Sequence, residues 1–323
     1  MIIEPYFNPP LLLRSHILQT ALASFRFEKY KKTEMFLQSK EMLIEAGKNV
    51  KLQGFYSKQK FNSKGLVLLI HGWEGNVTSS YILKLGDFLF RNGYNIFRLN
   101  LRDHGDTHHL NIELFNGSLL PEILEASKKI SKLEKNSLFF VIGFSLGGNF
   151  ALRIANSNSK KIIPNLKLAI GVSPAINPEV STNLMDKNIF LRKYFLKAWT
   201  DSLFKKEKHF PDIYNFDQYT NSKSVMELTE RIIPVYSSYK NVKEYFSTYT
   251  LTGSYFDKLK TPSVILSSID DPIVPYKDFY EIKNNNLLTI ILTKHGGHNG
   301  FFMDWRMNAY YNILILQLLN QTL

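Results

Sequence analysis

The chain has 323 residues, of which 44% are hydrophobic and 21% are charged. This composition is typical of a folded globular protein and excludes an intrinsically disordered chain. The absence of cysteine excludes a disulfide scaffold, a cysteine nucleophile, a thiolate metal site and an iron–sulfur cluster. The 40 Lys and Arg residues outnumber the 28 Asp and Glu residues, and the net charge is +12. Because the lysines are scattered rather than clustered with aromatic residues, we predict a solvated basic surface and no nucleic-acid partner.

The sequence also predicts a location. No apolar run approaches the roughly 18 residues that cross a bilayer, and the first ten residues lack the basic and apolar regions of a secretory signal. We therefore expect a cytoplasmic protein, for which the positive charge allows at most a weak peripheral contact with a membrane. The sequence does not define an oligomeric state.

Short apolar runs alternate with helical patterns along most of the chain. In chain order the patterns predict a strand at residues 65–70, a helix from Ser79 or Ser80 to Gly93, a strand at 94–100, a helix at 121–133, strands at 138–142 and 168–172 around a helix at 146–155, strands at 263–267 and 287–292, and a helix at 305–319. Strands that alternate with helices predict an α/β fold with a mostly parallel central sheet flanked by helices.

One segment, residues 176–258, breaks this alternation. It has no strong buried-strand pattern and is rich in Phe, Tyr and Trp, so we predict an inserted helical cap. Its aromatic residues either receive an apolar acyl chain or form the core of the cap itself. The predicted core then consists of residues 61–175 and 259–323, and residues 1–60 form an N-terminal segment that packs on this core.

The clearest catalytic motif is Gly-Phe-Ser-Leu-Gly at residues 143–147. It lies directly after a predicted strand and directly before a predicted helix. A turn this sharp strains the central residue, and the small neighbours at both ends remove the clashes that would forbid it. Ser145 is therefore the candidate nucleophile. The backbone amide of Leu146, at the start of the helix, can donate to a developing oxyanion.

A serine nucleophile needs a general base. With this nucleophile turn, the acid and the base follow the serine along the chain, each after a late strand. Asp270 and Asp271 follow the strand at 263–267, and His295 and His298 follow the strand at 287–292. We prefer Asp271, because it precedes Pro275 by four residues, with Asp270 as the alternative acid. We prefer His298, because it lies beyond two glycines on a loop that can reach over the sheet.

Two further loops carry polar residues. The first predicted strand ends in His-Gly-Trp-Glu-Gly at residues 71–75, where the amide of Trp73 is the candidate second oxyanion donor and His71 a support of the loop. Residues 102–109 contain three histidines and two aspartates, a spacing that could bind a divalent ion. A structural role in bracing the loop is the favoured interpretation, and we predict no metal site.

Several motifs follow one another in a fixed order along most of the chain. They lie at residues 8–20, 71–76, 102–111, 143–149, 173–174, 270–272 and 296–301. This ordered set resembles the YheT-like branch of the α/β-hydrolases, and only the predicted cap lacks a matching motif. The resemblance implies a Ser–Asp–His triad, with Ser145 as nucleophile, His298 as base and one of Asp270 and Asp271 as acid.

Members of that branch are described as carboxylesterases, and their relatives as medium-chain acyltransferases or phospholipid deacylases. We therefore expect a serine carboxylic-ester hydrolase that acts through an acyl-enzyme, without a cofactor, on a small-molecule or lipid ester with an apolar or medium-length acyl chain. The first alternative is an acyltransferase that uses the same triad with an alcohol or lipid acceptor. The second is a metal-binding or non-catalytic protein of the same fold.

Overall fold

A computed structural model describes residues 1–25, 28–134 and 136–323, with only the backbone described for Lys29. The described residues form nine strands, which are β1 (Ile2–Ile3), β2 (Lys40–Gly47), β3 (Val50–Ser57), β4 (Leu66–Ile70), β5 (Asn95–Leu99), β6 (Phe139–Phe144), β7 (Leu166–Val172), β8 (Ser263–Ser268) and β9 (Leu288–Thr293). Their α-helices are α1 (His16–Ser24), α2 (Glu34–Leu37), α3 (Ser80–Arg91), α4 (Leu120–Ile130), α5 (Leu146–Ser157), α6 (Pro178–Lys187), α7 (Ile189–His209), α8 (Val225–Tyr236), α9 (Val242–Ser247), α10 (Lys277–Tyr280) and α11 (Tyr310–Asn320).

The strands form one sheet in the order β1-β9-β8-β7-β6-β4-β5-β3-β2. The seven strands β1, β9, β8, β7, β6, β4 and β5 are parallel to their neighbours in this part of the sheet. β3 runs antiparallel to β5, and β2 runs antiparallel to β3. This arrangement confirms the predicted α/β fold with a mostly parallel sheet. Because the carboxyl ends of parallel strands meet at one edge, the loops after β4, β6, β8 and β9 come together there.

The sheet is covered on both faces, as its continuous apolar strands predict. Alternate residues of β4 separate into two apolar clusters, with Val67 and Leu69 in one and Leu66, Leu68 and Ile70 in the other. The first cluster includes residues of α3 and α11, and the second includes residues of α4 and α5. The helices at both faces therefore fix the sheet, and through it the loops at the carboxyl edge.

The predicted cap range holds four α-helices, α6 to α9, among its described residues. Helix α7 carries a fully buried lysine, Lys206, into the loop that follows β5. Its Nζ atom lies 2.7 Å from Asp103 Oδ1 and donates to the carbonyl oxygens of His108, Asn111 and Glu113 at 3.3, 2.6 and 3.2 Å. A buried ammonium group requires such partners, so Lys206 ties α7 to the core. The division of the chain into domains stays a prediction.

The structure corrects the predicted elements at both ends of the chain. The last helix begins at Tyr310, five residues later than predicted. Residues 304–308 form a turn instead, in which the Asp304 carboxylate accepts from the backbone and side-chain amides of Asn308. Strands β2 and β3 were not predicted at all. No helix among the described residues combines the length and the apolar character that crossing a membrane requires.

We expect Lys206→Met to lower the free energy of unfolding by about 3–5 kcal/mol, because it leaves the Asp103 carboxylate buried without its counterion. The neighbouring Lys205→Met is the matched control. Lys205 is exposed, and its Nζ atom is as far as 4.0 Å from Asp106 Oδ1. Because such an exposed ion pair is weak, the loss of Lys205 should lower the free energy of unfolding by less than about 1 kcal/mol. Urea unfolding measures both values, and equal losses would contradict a role for the buried pair.

Candidate active site

Ser145 occupies the junction between β6 and α5 in a strained backbone conformation. Its φ is 53° and its ψ is −120°, outside the regions that residues with a side chain ordinarily adopt. The backbone N–H of Ser145 donates to the Val172 carbonyl at 2.8 Å, and its carbonyl accepts from the Asn149 amide at 3.0 Å. The turn is therefore held by β7 on one side and by the first turn of α5 on the other.

The glycines of the motif are needed because backbones approach each other closely in this turn. A Cβ atom at Gly143 would lie 1.9 Å from the Gly147 carbonyl oxygen. A Cβ atom at Gly147 would lie 2.3 Å from the carbonyl oxygen of Ile70 and 2.4 Å from that of His71. Since these obstacles are backbone atoms, no side-chain rearrangement relieves the clash.

His298 contacts Asp271 in the loops that follow β9 and β8. His298 Nδ1 lies 2.9 Å from Asp271 Oδ2 and 3.2 Å from Asp271 Oδ1. Asp271 Oδ1 also accepts from the backbone amides of Ile273 and Val274, at 2.8 and 2.9 Å. A carboxylate accepts hydrogen bonds, so Nδ1 carries the proton and Nε2 is the proton acceptor that the ring offers.

The other two candidates lie together in a separate pair. His295 Nδ1 is 3.7 Å from Asp270 Oδ2, which is beyond hydrogen-bond distance. Asp270 Oδ1 instead accepts from the Gly297 amide at 2.9 Å. The structure thus brings His298 to Asp271 rather than to Asp270, and Asp270 contacts the backbone of the loop that carries His298.

The two candidate oxyanion donors, the backbone amides of Trp73 and Leu146, belong to segments that adjoin Ser145. Leu146 is the first residue of α5, so its amide has no acceptor one turn earlier in the helix. Trp73 follows Gly72, at which a Cβ atom would lie 3.0 Å from the Cβ atom of Ser145. The loop after β4 therefore lies directly against Ser145, and both Trp73 and Leu146 line the cavity into which Ser145 faces.

His71 and the loop at residues 102–109 are held by other partners. The ring of His71 bonds the Gly72 carbonyl through Nδ1 at 2.7 Å and accepts from the Leu101 amide through Nε2 at 3.1 Å. Burial lowers the pKa of His104 to about 4 and that of His108 to about 3, so both are neutral near pH 7. Among the described residues, no three His, Asp or Glu side chains converge in a way that could hold a metal ion.

Ser145 and His298 line the same cavity, whose volume is about 120 Å³. Its walls come from the core and from the predicted cap range, and they are mostly apolar. The aromatic and branched aliphatic residues of the cap range that line it are Phe195, Trp199, Leu203, Val225, Ile232, Ile233, Tyr245, Phe246 and Tyr249. A second aromatic group, Tyr214, Phe216 and Tyr219, is buried in a cluster formed by residues of the predicted cap range and Leu114. One set of aromatic residues therefore lines the cavity, and the other is buried away from it.

Glu74 is a half-buried carboxyl group in this apolar wall. Its backbone φ is 57°. Burial, followed by the nearby negative charge of Asp103, raises the pKa of Glu74 from 4.5 to about 8. At this pKa the group is mostly protonated at neutral pH, so Glu74 adds little negative charge to the apolar wall. Sequence reasoning did not find this residue, because its pKa depends on walls that distant segments build.

The greater part of the chain, residues 62–302, matches the hydrolase family described as Serine aminopeptidase, S33. The chain belongs to this family, Hydrolase_4. Among curated proteins, this Hydrolase_4 protein is 25% identical to the Phospholipase ABHD3 of Bos taurus over 77% of the chain and 62% of that relative. It is 22% identical to a Monoacylglycerol lipase of Saccharomyces cerevisiae over 77% of the chain and 58% of that relative. The chain thus spans about three fifths of these relatives.

Solved structures show the same fold. An esterase of Pyrococcus furiosus superposes with a TM-score of 0.57 at 18% identity, over 88% of this chain and 91% of the esterase. A soluble variant of the monoglyceride lipase of Saccharomyces cerevisiae, bound to a substrate analog, superposes with a TM-score of 0.53 at 18% identity, over 87% and 96% of the two chains. The Hydrolase_4 protein therefore has the α/β-hydrolase fold.

We expect Glu74→Gln to become more stable relative to wild type as the pH rises. The folded protein holds a proton on Glu74 up to about pH 8, whereas the unfolded chain releases it near 4.5. The stability that the Glu74 carboxyl group contributes is therefore fully present below pH 4.5, and it is lost as the pH rises through about 8. Gln has no such contribution. Urea unfolding of both proteins at about pH 5 and about pH 9 tests this, and a pH-independent difference would contradict it.

Proposed function

We propose that the protein is a serine carboxylic-ester hydrolase that works through an acyl-enzyme. The observation that carries the proposal is that the candidate nucleophile and the candidate general base line the same cavity. Ser145, on the strained turn, and His298, with its Nδ1 atom 2.9 Å from Asp271, both line it. The fold and the names of the relatives, a phospholipase and a monoacylglycerol lipase, support the same reaction class.

In the proposed reaction, Ser145 Oγ attacks the carbonyl carbon of the ester while His298 Nε2 takes its proton. Asp271 holds the imidazole in the required tautomer and stabilises its charged form. The amides of Leu146 and Trp73 donate to the tetrahedral oxyanion, each contributing about 10²–10³ in rate. The imidazolium then protonates the leaving alcohol. Water, deprotonated by the same imidazole, releases the acid and restores Ser145.

The cavity walls suggest the substrate. Their apolar and aromatic side chains favour an apolar or medium-length acyl chain, and a protonated Glu74 does not repel it. The YheT-like branch is part of this proposal, on the ordered motifs of the sequence. The acyltransferase alternative, the cytoplasmic location and the weak membrane contact stay predictions.

We expect Ser145→Ala to abolish labelling by a fluorophosphonate probe and to lower kcat for p-nitrophenyl butyrate by at least about 10⁴-fold, because the nucleophile is lost. Ser157→Ala, at the other end of α5, is the matched control and should behave as wild type. Hydrolysis by the Ser145→Ala variant at the wild-type rate would overturn the proposed function, and loss of that rate in a chelator would indicate a metal instead.

The two adjacent aspartates provide a second comparison. Asp271→Asn should lower kcat by about 10³–10⁴-fold, because the imidazole loses the carboxylate that sets its tautomer and stabilises its charged form. Asp270→Asn keeps that carboxylate and should lower kcat by less than about tenfold. Steady-state hydrolysis of p-nitrophenyl butyrate distinguishes them. Equal losses, or a larger loss for Asp270→Asn, would contradict the assignment of Asp271 as the acid.

A further inference from the structure

His298 lies on a loop whose backbone departs from ordinary conformations. The loop follows β9 and consists of bends and turns. Gly297, Asn299 and Phe301 have φ values of 54°, 65° and 51°. A non-glycine residue in this region costs of order 1–3 kcal/mol and persists only where surrounding structure imposes it. Contacts from outside the loop must therefore fix where the imidazole points.

The hydroxyl of Thr20, on α1, contacts the general base directly. Thr20 Oγ1 accepts a hydrogen bond from the backbone N–H of His298 at 2.9 Å. It donates its own proton to the His16 carbonyl, one helical turn earlier, at 2.7 Å. The second bond holds the hydroxyl in one orientation, with its oxygen lone pairs towards the loop. The helix thus offers His298 an acceptor that is already in place.

Gln19, the residue before Thr20, forms hydrogen bonds with Phe302, four residues after His298. Its fully buried side chain accepts from the Phe302 amide through Oε1 at 2.8 Å and donates to the Phe302 carbonyl through Nε2 at 3.1 Å. Nε2 also donates to the Leu13 carbonyl at 2.7 Å. One carboxamide therefore satisfies both backbone groups of a loop residue while it is anchored in the N-terminal segment.

The sheet holds the residues between these contacts. Ser268 Oγ donates to the Gly297 carbonyl at 3.0 Å, and Asp270 Oδ1 accepts from the Gly297 amide at 2.9 Å. Ser173 Oγ accepts from the Asn299 amide at 3.2 Å. The sheet edge thus holds residues 297 and 299, while α1 holds residues 298 and 302. The loop is therefore held by hydrogen bonds from both the sheet edge and α1. Helix α1 lies outside residues 62–302, the range that matches the family.

We propose that Gln19 and Thr20 are positioning residues for the general base of the reaction. They act through His298, by holding its backbone so that the imidazole stays against Asp271 and at the cavity that contains Ser145. The inference rests on the proposed function, because it concerns the base of that reaction. It also gives a role to the Gln-Thr pair of the N-terminal motif.

The test compares Thr20→Val, which keeps the shape of the side chain but removes the hydroxyl, with Thr20→Ser, which keeps the hydroxyl. Thr20→Val should lower kcat for p-nitrophenyl butyrate by about 10- to 100-fold, the effect of a displacement of about 1 Å at a catalytic group. KM should change little, since Thr20 does not line the cavity. Thr20→Ser should restore kcat to near the wild-type value.

Ser24→Ala is the matched control on the same helix. Ser24 Oγ makes the same kind of bond, to the Thr20 carbonyl at 3.2 Å, and the Ser24 residue is exposed to solvent. It should leave kcat unchanged. Melting temperatures are measured for every variant, and assays are run where all are folded. If Thr20→Val does not fold, Gln19→Met takes its place in the same comparison, with the same expected loss in kcat.

Combination with His298→Ala separates positioning from general destabilisation. If Thr20 acts through the imidazole, Thr20→Val should lower the residual kcat of His298→Ala by less than about twofold, because coupled residues are not additive. An equal loss in both backgrounds, or no loss in the wild-type background, would overturn the inference. Neither result would affect the proposed function, which the Ser145→Ala variant tests separately.

Discussion

The positive φ of Ser145 is the constraint on which the rest of the site depends. This backbone conformation costs of order 1–3 kcal/mol and is sustained by the structure around it. β7 accepts the Ser145 amide, α5 starts at the next residue, and the carbonyl groups of Ile70 and His71 pack against Gly147. The same geometry lifts the serine off the sheet and leaves the Leu146 amide without an acceptor in its helix. The backbone conformation of Ser145 thus accounts for three features: the local strain, the exposure of the nucleophile and the free amide of Leu146.

A parallel sheet explains how the other groups reach this turn. Asp271 follows β8 and His298 follows β9, so both emerge at the edge where Ser145 lies. The sheet only brings them near each other, because loops set the final distances. Asp271 is held by the backbone amides of two residues after it. His298 is held from the sheet edge and from α1, so the N-terminal segment belongs to the mechanical support of the site.

The sequence predicts the parts of this account that depend on local pattern. The strand before Ser145 and the helix after it were both predicted, because continuous apolar runs and helical spacing are properties of neighbouring residues. The preference for Asp271 over Asp270 rested on spacing to Pro275, and the structure brings Asp271 to His298 at 2.9 Å. The antiparallel pair β2 and β3 is not among the predicted strands, although Met42, Ile44 and Ala46 alternate with exposed residues and a turn at Asn49 follows.

Other features had no local pattern from which they could be predicted. Lys206 occurs among several lysines of α7, and only the packing of that helix shows which one is buried against Asp103. Glu74 acquires its raised pKa from burial and from the negative charge of Asp103, which lies on a different loop. The contact of Thr20 with His298 joins residues that are 278 positions apart. The motif that contains Thr20 is visible in the sequence, but residue spacing does not identify His298 as its partner.

The most direct test of the account is a crystal structure of the protein after reaction with a fluorophosphonate. We expect phosphorus bonded to Ser145 Oγ and the phosphoryl oxygen within hydrogen-bond distance of the amides of Trp73 and Leu146. His298 Nε2 should face the adduct while Nδ1 stays on Asp271. An adduct on another residue, or an imidazole of His298 directed away from Ser145, would contradict it.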